Sequence, residues 1–201
     1  MWLKLCGMTS TQAVAAALAA RVDAIGFVFS PSVRRVEPLQ AAQLAALARG
    51  RISLIAVTMT PPQLLVDEIL RVFKPDALQS DLQDFERLEL PASLVRLPVL
   101  RAGIAAGAGL PRRMLFEGAR SGSGEAADWE TASRLARSSE LILAGGLHAQ
   151  NVATAIRAVR PYGVDVSSGI ESAPGHKSAL RIAEFVEAAR AAFEEIDHVG
   201  N

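Results

Sequence analysis

Cysteine is almost absent. Cys6 is the only one in 201 residues, which excludes an internal disulfide framework and fits a reducing, cytoplasmic compartment. Histidine is nearly as scarce: His148, His176 and His198 lie at no spacing that resembles a metal site, so no metal is expected. An excess of either charge is missing too. The 21 basic residues balance 21 acidic ones, which argues against the broad positive surface that nucleic acid demands. Arg34-Arg35 and Arg112-Arg113 therefore read as local contacts. No run of apolar residues is long enough for a transmembrane helix, so no membrane partner is expected. The Ala-rich run from Ala13 to Ala20 is short, follows a strand-like segment and ends in Arg21-Val22-Asp23. It reads as a helix rather than the core of a leader.

Half of the residues are apolar and 21% are charged, enough for a packed core and too apolar for disorder. No linker or low-complexity tract interrupts the chain, and one catalytic domain over residues 1–201 is expected. Apolar, often β-branched runs recur at Trp2–Cys6, Ala24–Phe29, Ile52–Thr58, Ala77–Gln79, Leu94–Leu100, Met114–Glu117, Leu141–Ala144 and Gly163–Val166. Segments of helical period separate them. Thr11–Arg21 opens on a candidate Thr cap, and Pro38–Ala48 opens on a first-turn proline. Pro62–Phe73, Leu82–Leu90, Trp129–Ala136, Asn151–Val159 and Ser178–Phe193 follow, with Asp128 as an N-cap for the fifth of these seven. The crossover Arg101–Pro111 is rich in Gly and Ala and promises only a short or irregular helix. Strand and helix alternating eight times predict a (β/α)8 TIM barrel, eight parallel strands inside a helix ring. The rival is an open doubly wound sheet, but Cys6-Gly7-Met8-Thr9 after the first strand lacks its glycine fingerprint.

In such a barrel the chemistry sits at the C-terminal ends of the strands. Cys6 ends the first strand, Arg34 follows the second, Glu117 closes the sixth, and Asp165 lies in the eighth. Gly145-Gly146 follows the seventh strand and Ser167-Ser168-Gly169 the eighth, the two loops that commonly hold phosphate in this architecture. Tight turns alone would also explain them. A cysteine at the catalytic face with local amide dipoles would have a lowered pKa and serve as a base; the alternative is an inert buried thiol. A carboxyl on the apolar strand Met114-Leu115-Phe116 would be kept protonated and act as an acid, unless it is paired. Arg34 suits a planar carboxylate through two parallel hydrogen bonds. Ser121-Gly122-Ser123-Gly124 reads as a loop able to cover the site.

Five segments resemble the motifs of phosphoribosylanthranilate isomerases. KLCGMT (Lys4 to Thr9) is similar to that family's opening strand, and DAIGFVF with SVRRV (Asp23 to Val36) to its second. GSGEAADW (Gly122 to Trp129), LAGGLHAQNV (Leu143 to Val152) and GVDVSSGIESAPGHK (Gly163 to Lys177) are similar to its later loops. The resemblance implies a cofactor-free Amadori rearrangement of a phosphosugar substrate, by a monomer or homodimer. It implies Cys6 as general base, Arg34 as ligand of the anthranilate carboxylate, and Gly145, Gly146, Ser168 and Gly169 as phosphate ligands. Asp165 is implied in substrate contact. Departures stand beside it. The family's usual aspartate acid is matched by Glu117, Val33 replaces a proline before Arg34, and Leu78-Gln79-Ser80-Asp81 replaces V-Q-L-H-G. An aminoimidazole-carboxamide ribotide isomerase, whose first strand ends in aspartate, is the nearest enzyme alternative. A phosphosugar-binding protein without catalysis is the other.

Overall fold

A computed structural model describes residues 1–101, 103, 109–118 and 128–199. The loop Ser121–Gly124 and most of the crossover Arg101–Pro111 lie outside the described residues. Eight parallel strands close into a barrel: β1 (Trp2–Cys6), β2 (Ala24–Val28), β3 (Ser53–Val57), β4 (Ala77–Asp81), β5 (Val95–Arg101), β6 (Arg113–Glu117), β7 (Glu140–Leu143) and β8 (Gly163–Val166). Closure is through β1 and β8, with Lys4 beside Asp165 and Leu5 beside Val166.

The period of two along each strand divides the core. Leu3, Leu5, Met114, Phe116, Leu141, Leu143 and Val164 point outward and pack beneath the helices. Ala24, Ile55, Ala77, Leu97, Val99, Leu115, Ile142 and Ala144 fill the barrel interior. Parity then dictates the site, because residues two apart share a face. On β1 the outward Leu3 and Leu5 leave Lys4 and Cys6 inside. On β6 the outward Met114 and Phe116 turn Glu117 into the mouth.

The helices α1 (Thr11–Ala19), α2 (Pro38–Leu44), α3 (Gln63–Glu68), α4 (Trp129–Ala136), α5 (Val152–Val159) and α6 (Ala179–Val199) surround the strands. Pro38 occupies the first turn of α2, and Asp128 caps α4 by accepting from the Glu130 and Thr131 amides at 3.1 Å. The cap of α1 is Ser10 rather than Thr11: its hydroxyl accepts from the Ala13 amide at 3.2 Å. A larger correction concerns Leu82–Leu90, expected as a helix, where only a 3₁₀ segment, Leu82–Glu86, forms. Asp84 is the reason. Its buried carboxylate takes hydrogen bonds from Ser80 (2.5 Å), the Thr60 amide (2.9 Å) and Arg87 (2.7 Å), and this inward anchor tightens the turn. After β8 the chain also forms an unexpected hairpin, β9 (Glu171–Ala173) with β10 (His176–Lys177), turning through Gly175 at φ 81°. No helix among the described residues is long and apolar enough to cross a membrane.

Candidate active site

Lys4 and Cys6 project from β1 into the barrel, and both are buried: Lys4 is 0% exposed and Cys6 7%, where it meets the cavity. The Lys4 ammonium donates to Asp165 Oδ1 of β8 at 2.9 Å and lies against the Cys6 thiol. Burial by itself would discharge this lysine, but Asp165 and Cys6 outweigh it and raise its pKa. Gly26, opposite Cys6 on β2, makes room for both side chains, because a Cβ there would lie 3.1 Å from Cys6 Sγ and 3.2 Å from Lys4 Cε.

The thiol departs from the sequence expectation. Its pKa is raised, not lowered: burial pushes it up, and the ammonium groups of Lys4 and Lys177 offset only part of that. No charged group or dipole read from the motif compensates the loss of water around Sγ.

Arg34 reaches the site over Gly7, whose φ of 80° and missing Cβ are both required, since a Cβ would lie 2.6 Å from Arg34 Cδ. Its guanidinium is bidentate on Glu171 of β9, Nε to Oε1 at 2.7 Å and Nη2 to Oε2 at 2.8 Å. Lys177 of β10 donates to the same carboxylate at 2.7 Å and to the Ser167 carbonyl at 2.9 Å. The planar carboxylate expected opposite Arg34 is thus supplied by the protein itself in this state. Two cations around one carboxylate leave this wall electropositive. Burial works against ionisation of Glu171, but hydrogen bonds from Arg34 and Lys177 prevail and hold its pKa at about 2. A carboxyl lower in the folded than in the unfolded state stabilises the fold above its unfolded pKa of about 4.3, and that contribution disappears as pH falls toward the folded value. The stability gap between wild type and Glu171→Gln, measured by urea unfolding, is therefore expected to be full at pH 6 and to shrink between about pH 4.3 and about 2.

Glu117 departs from expectation as well. Instead of a carboxyl set only in apolar surroundings, it is ion-paired with Arg101 at the end of β5, and Arg101 also holds Asp81 of β4 at 2.6 Å. The apolar neighbours Met114 and Phe116 lie on the other face of β6. Arg101 itself is held firmly charged; burial opposes this, and Glu117 and Asp81 overcome it.

Cys6, Arg34, Glu117, Asp165, Gly145, Gly146 and Ser168 all line one cavity of about 310 Å³ at the C-terminal mouth. Gly169 does not. It packs against the β7 loop, where a Cβ would come within 2.0 Å of the Leu147 carbonyl oxygen. Asp165 lines the cavity but is committed to Lys4. Gly145 and Gly146 take φ values of 93° and 62°. Asn151, expected inside α5 but placed just before it, ties their turn together, donating to the Gly146 carbonyl at 2.9 Å and accepting from the His148 amide at 2.8 Å. Residues that motif reading passed over are Lys4, Asp81, Arg101, Glu171, Lys177 and Gln79. Gln79 also lines the cavity, and its Oε1 is buried with no hydrogen-bond partner among the described residues. Parity with Cys6 was the signal available for Lys4; nothing local marked the others. Among the described residues there is no cluster of three or more His, Cys, Asp or Glu side chains able to hold a metal.

A parallel barrel whose mouth brings a thiol, carboxylates and an electropositive wall into one cavity is an enzyme of the (β/α)8 class acting on a small anionic substrate. The model of the N-(5'-phosphoribosyl)anthranilate (PRA) isomerase family matches residues 3–188. An N-(5'-phosphoribosyl)anthranilate isomerase of Mesorhizobium japonicum is 36% identical, with 96% of this chain and 97% of that protein covered. The crystal structure of TrpF from Jonesia denitrificans superposes with a TM-score of 0.79 at 34% identity, covering 96% of this chain and 98% of the other. That of phosphoribosyl anthranilate isomerase from Thermus thermophilus gives 0.82 at 26% identity, covering 95% and 99%. The chain belongs to the N-(5'-phosphoribosyl)anthranilate isomerase family.

Proposed function

We propose that the protein, with residues 1–201 as one catalytic unit, converts N-(5'-phosphoribosyl)anthranilate to 1-(2-carboxyphenylamino)-1-deoxyribulose 5-phosphate, an aldose–ketose isomerisation of tryptophan biosynthesis. The observation that carries this reading is the sharing of one cavity by Cys6, Glu117, the Arg34 wall and the glycine loops.

In this reading Glu117 donates a proton to the furanose oxygen, the C1'–O bond breaks, and the nitrogen lone pair forms an iminium. That cation acidifies the C2' proton. Cys6, as thiolate, removes it; the C–H electrons form the enolamine double bond and quench the iminium. Tautomerisation of the enol to the ketone completes the rearrangement, with no net oxidation. The raised thiol pKa is no obstacle, because the iminium beside Sγ supplies the positive charge that a thiolate needs. Asp165 assists by keeping Lys4 charged next to the sulfur. The substrate carboxylate lies against Arg34, with buried Lys177 behind it adding positive charge through the shared Glu171. Phosphate sits on the loops of Gly145, Gly146 and Ser168, with Gly169 acting indirectly by letting those loops close on each other.

Glu117→Ala is expected to lower kcat about 10²–10⁴-fold with little change in KM, the signature of a lost general acid. Turnover of purified protein, followed through the loss of the substrate's anthranilate fluorescence, tests it; wild-type kcat in this variant removes Glu117 from the mechanism. Gly169→Ala tests the phosphate loops. The clash with the Leu147 carbonyl must push the two loops apart, so KM is expected to rise more than kcat falls. An unchanged KM would take the loops out of phosphate binding.

A further inference from the structure

Glu117 has to deliver a proton, yet its neighbour is a guanidinium, which by itself favours the charged carboxylate. The resolution lies in the second carboxylate. Arg101 is largely enclosed at the mouth, with side-chain exposure of 12%, and divides its charge between Asp81 on one side and Glu117 on the other, each 13% exposed. The three groups end the adjacent strands β4, β5 and β6, and the register places Asp81 opposite Val99 and Arg101 opposite Glu117. Two carboxylates share one guanidinium, so Glu117 does not have the whole charge of Arg101 to itself. The opposite wall has the reverse balance, Arg34 and Lys177 around Glu171.

We propose that Asp81 and Arg101 are positioning residues for the acid: Asp81 draws the charge of Arg101 away from Glu117, and Glu117 thereby holds the proton it delivers to the substrate. This rests on the assignment of Glu117 as acid and extends it to residues that touch no reacting atom. Arg101 fixes the carboxyl in place through its fork, while Asp81 sets how strongly that fork competes with the proton. Among the described residues, the other charged or titratable groups lining the cavity are Cys6, Arg34 and Asp165 across the mouth, and β7 and its loop present only Ala144, Gly145, Gly146 and Leu147 there. Of the charged groups named here, Arg101 is in direct contact with Glu117, and Asp81 meets it through that same guanidinium.

The two neighbours act in opposite directions. In Asp81→Asn the guanidinium turns wholly to Glu117, so the titration midpoint of Glu117 falls by about one pH unit and kcat at pH 7.5 falls about 10-fold, with KM little changed. In Arg101→Gln, Asp81 and Glu117 face each other without a cation, and the midpoint rises by a similar amount. The experiment is a carboxyl ¹³C NMR titration of the whole ligand-free protein, labelled at Glu and Asp side chains, with the Glu117 signal assigned by its loss in Glu117→Gln. Asp81→Asn is isosteric and decides the sign alone should Arg101→Gln fail to fold. Midpoints that stay put, or move the same way in both variants, overturn the proposal. Its failure is distinguishable from failure of the parent reading: Glu117→Gln that keeps wild-type turnover removes Glu117 as the acid, whereas Glu117→Gln that loses turnover beside unmoved midpoints removes only Asp81 and Arg101.

Discussion

Cys6→Ala is expected to lower kcat by about 10²–10⁴-fold and to leave KM nearly unchanged, the loss associated with a general base that acts only in the transition state. Packing cannot produce that pattern, since an alanine fills the site between Lys4 and Gly26 with less volume and no new contact. Cys6→Ser discriminates further. A hydroxyl keeps the shape and the place beside Lys4 but ionises far less readily than a thiol, so it should rescue structure and not rate. Steady-state turnover with the fluorescent substrate, alongside urea unfolding of each variant, separates the two. A serine variant at wild-type rate would make Cys6 a packing residue only.

Lys4→Met carries the second large effect, and it is double. Removing the ammonium leaves Asp165 buried, 7% exposed, without its partner. Breaking a buried ion pair from one side costs about 3–5 kcal/mol, because the remaining charge has lost water and gained nothing. Removing both partners together relieves that penalty. Lys4→Met with Asp165→Leu should therefore recover most of the stability in denaturant unfolding. Activity should not return with it. The Cys6 thiol is already raised by burial, and Lys4 is one of the two cations that oppose that rise. Without Lys4 the thiol moves further up, which a pH series of alkylation rates reads directly. The higher thiol pKa is expected in Lys4→Met alone, since Asp165, which the double variant also removes, itself pushes the thiol up; the double variant is expected to be stable but slow, and a stable double variant with full kcat would mean that Lys4 serves the fold alone.

Cys6, Arg34 and Glu117 stood out in the sequence as candidate residues at or after strand ends, and the glycine turns stood out after β7 and β8. Their electrostatic state was not. The apolar letters around Glu117 suggested an acid in an oily setting, but on a strand its immediate neighbour Phe116, like Met114, faces the other way, and the carboxyl meets Arg101, 16 residues earlier. Arg34 looked ready for a ligand, and its fork is filled by Glu171, 137 residues later. In the same way Leu82–Leu90 had the pattern of a helix, and the tertiary bonds of Asp84 overrode it.

The sequence alone determined the alternation of strand and helix, hence the barrel, and through the period of two on each strand it determined which side chains enter the mouth. Those are local consequences of backbone geometry and apolar burial. Only the tertiary structure decided who stands next to whom: Lys4 with Asp165 across the β1–β8 closure, Arg101 between Asp81 and Glu117, Arg34 with Glu171 on an unforeseen hairpin. Protonation depends on distance and burial rather than on position in the chain, so the charge states of these residues are set only once the barrel has closed.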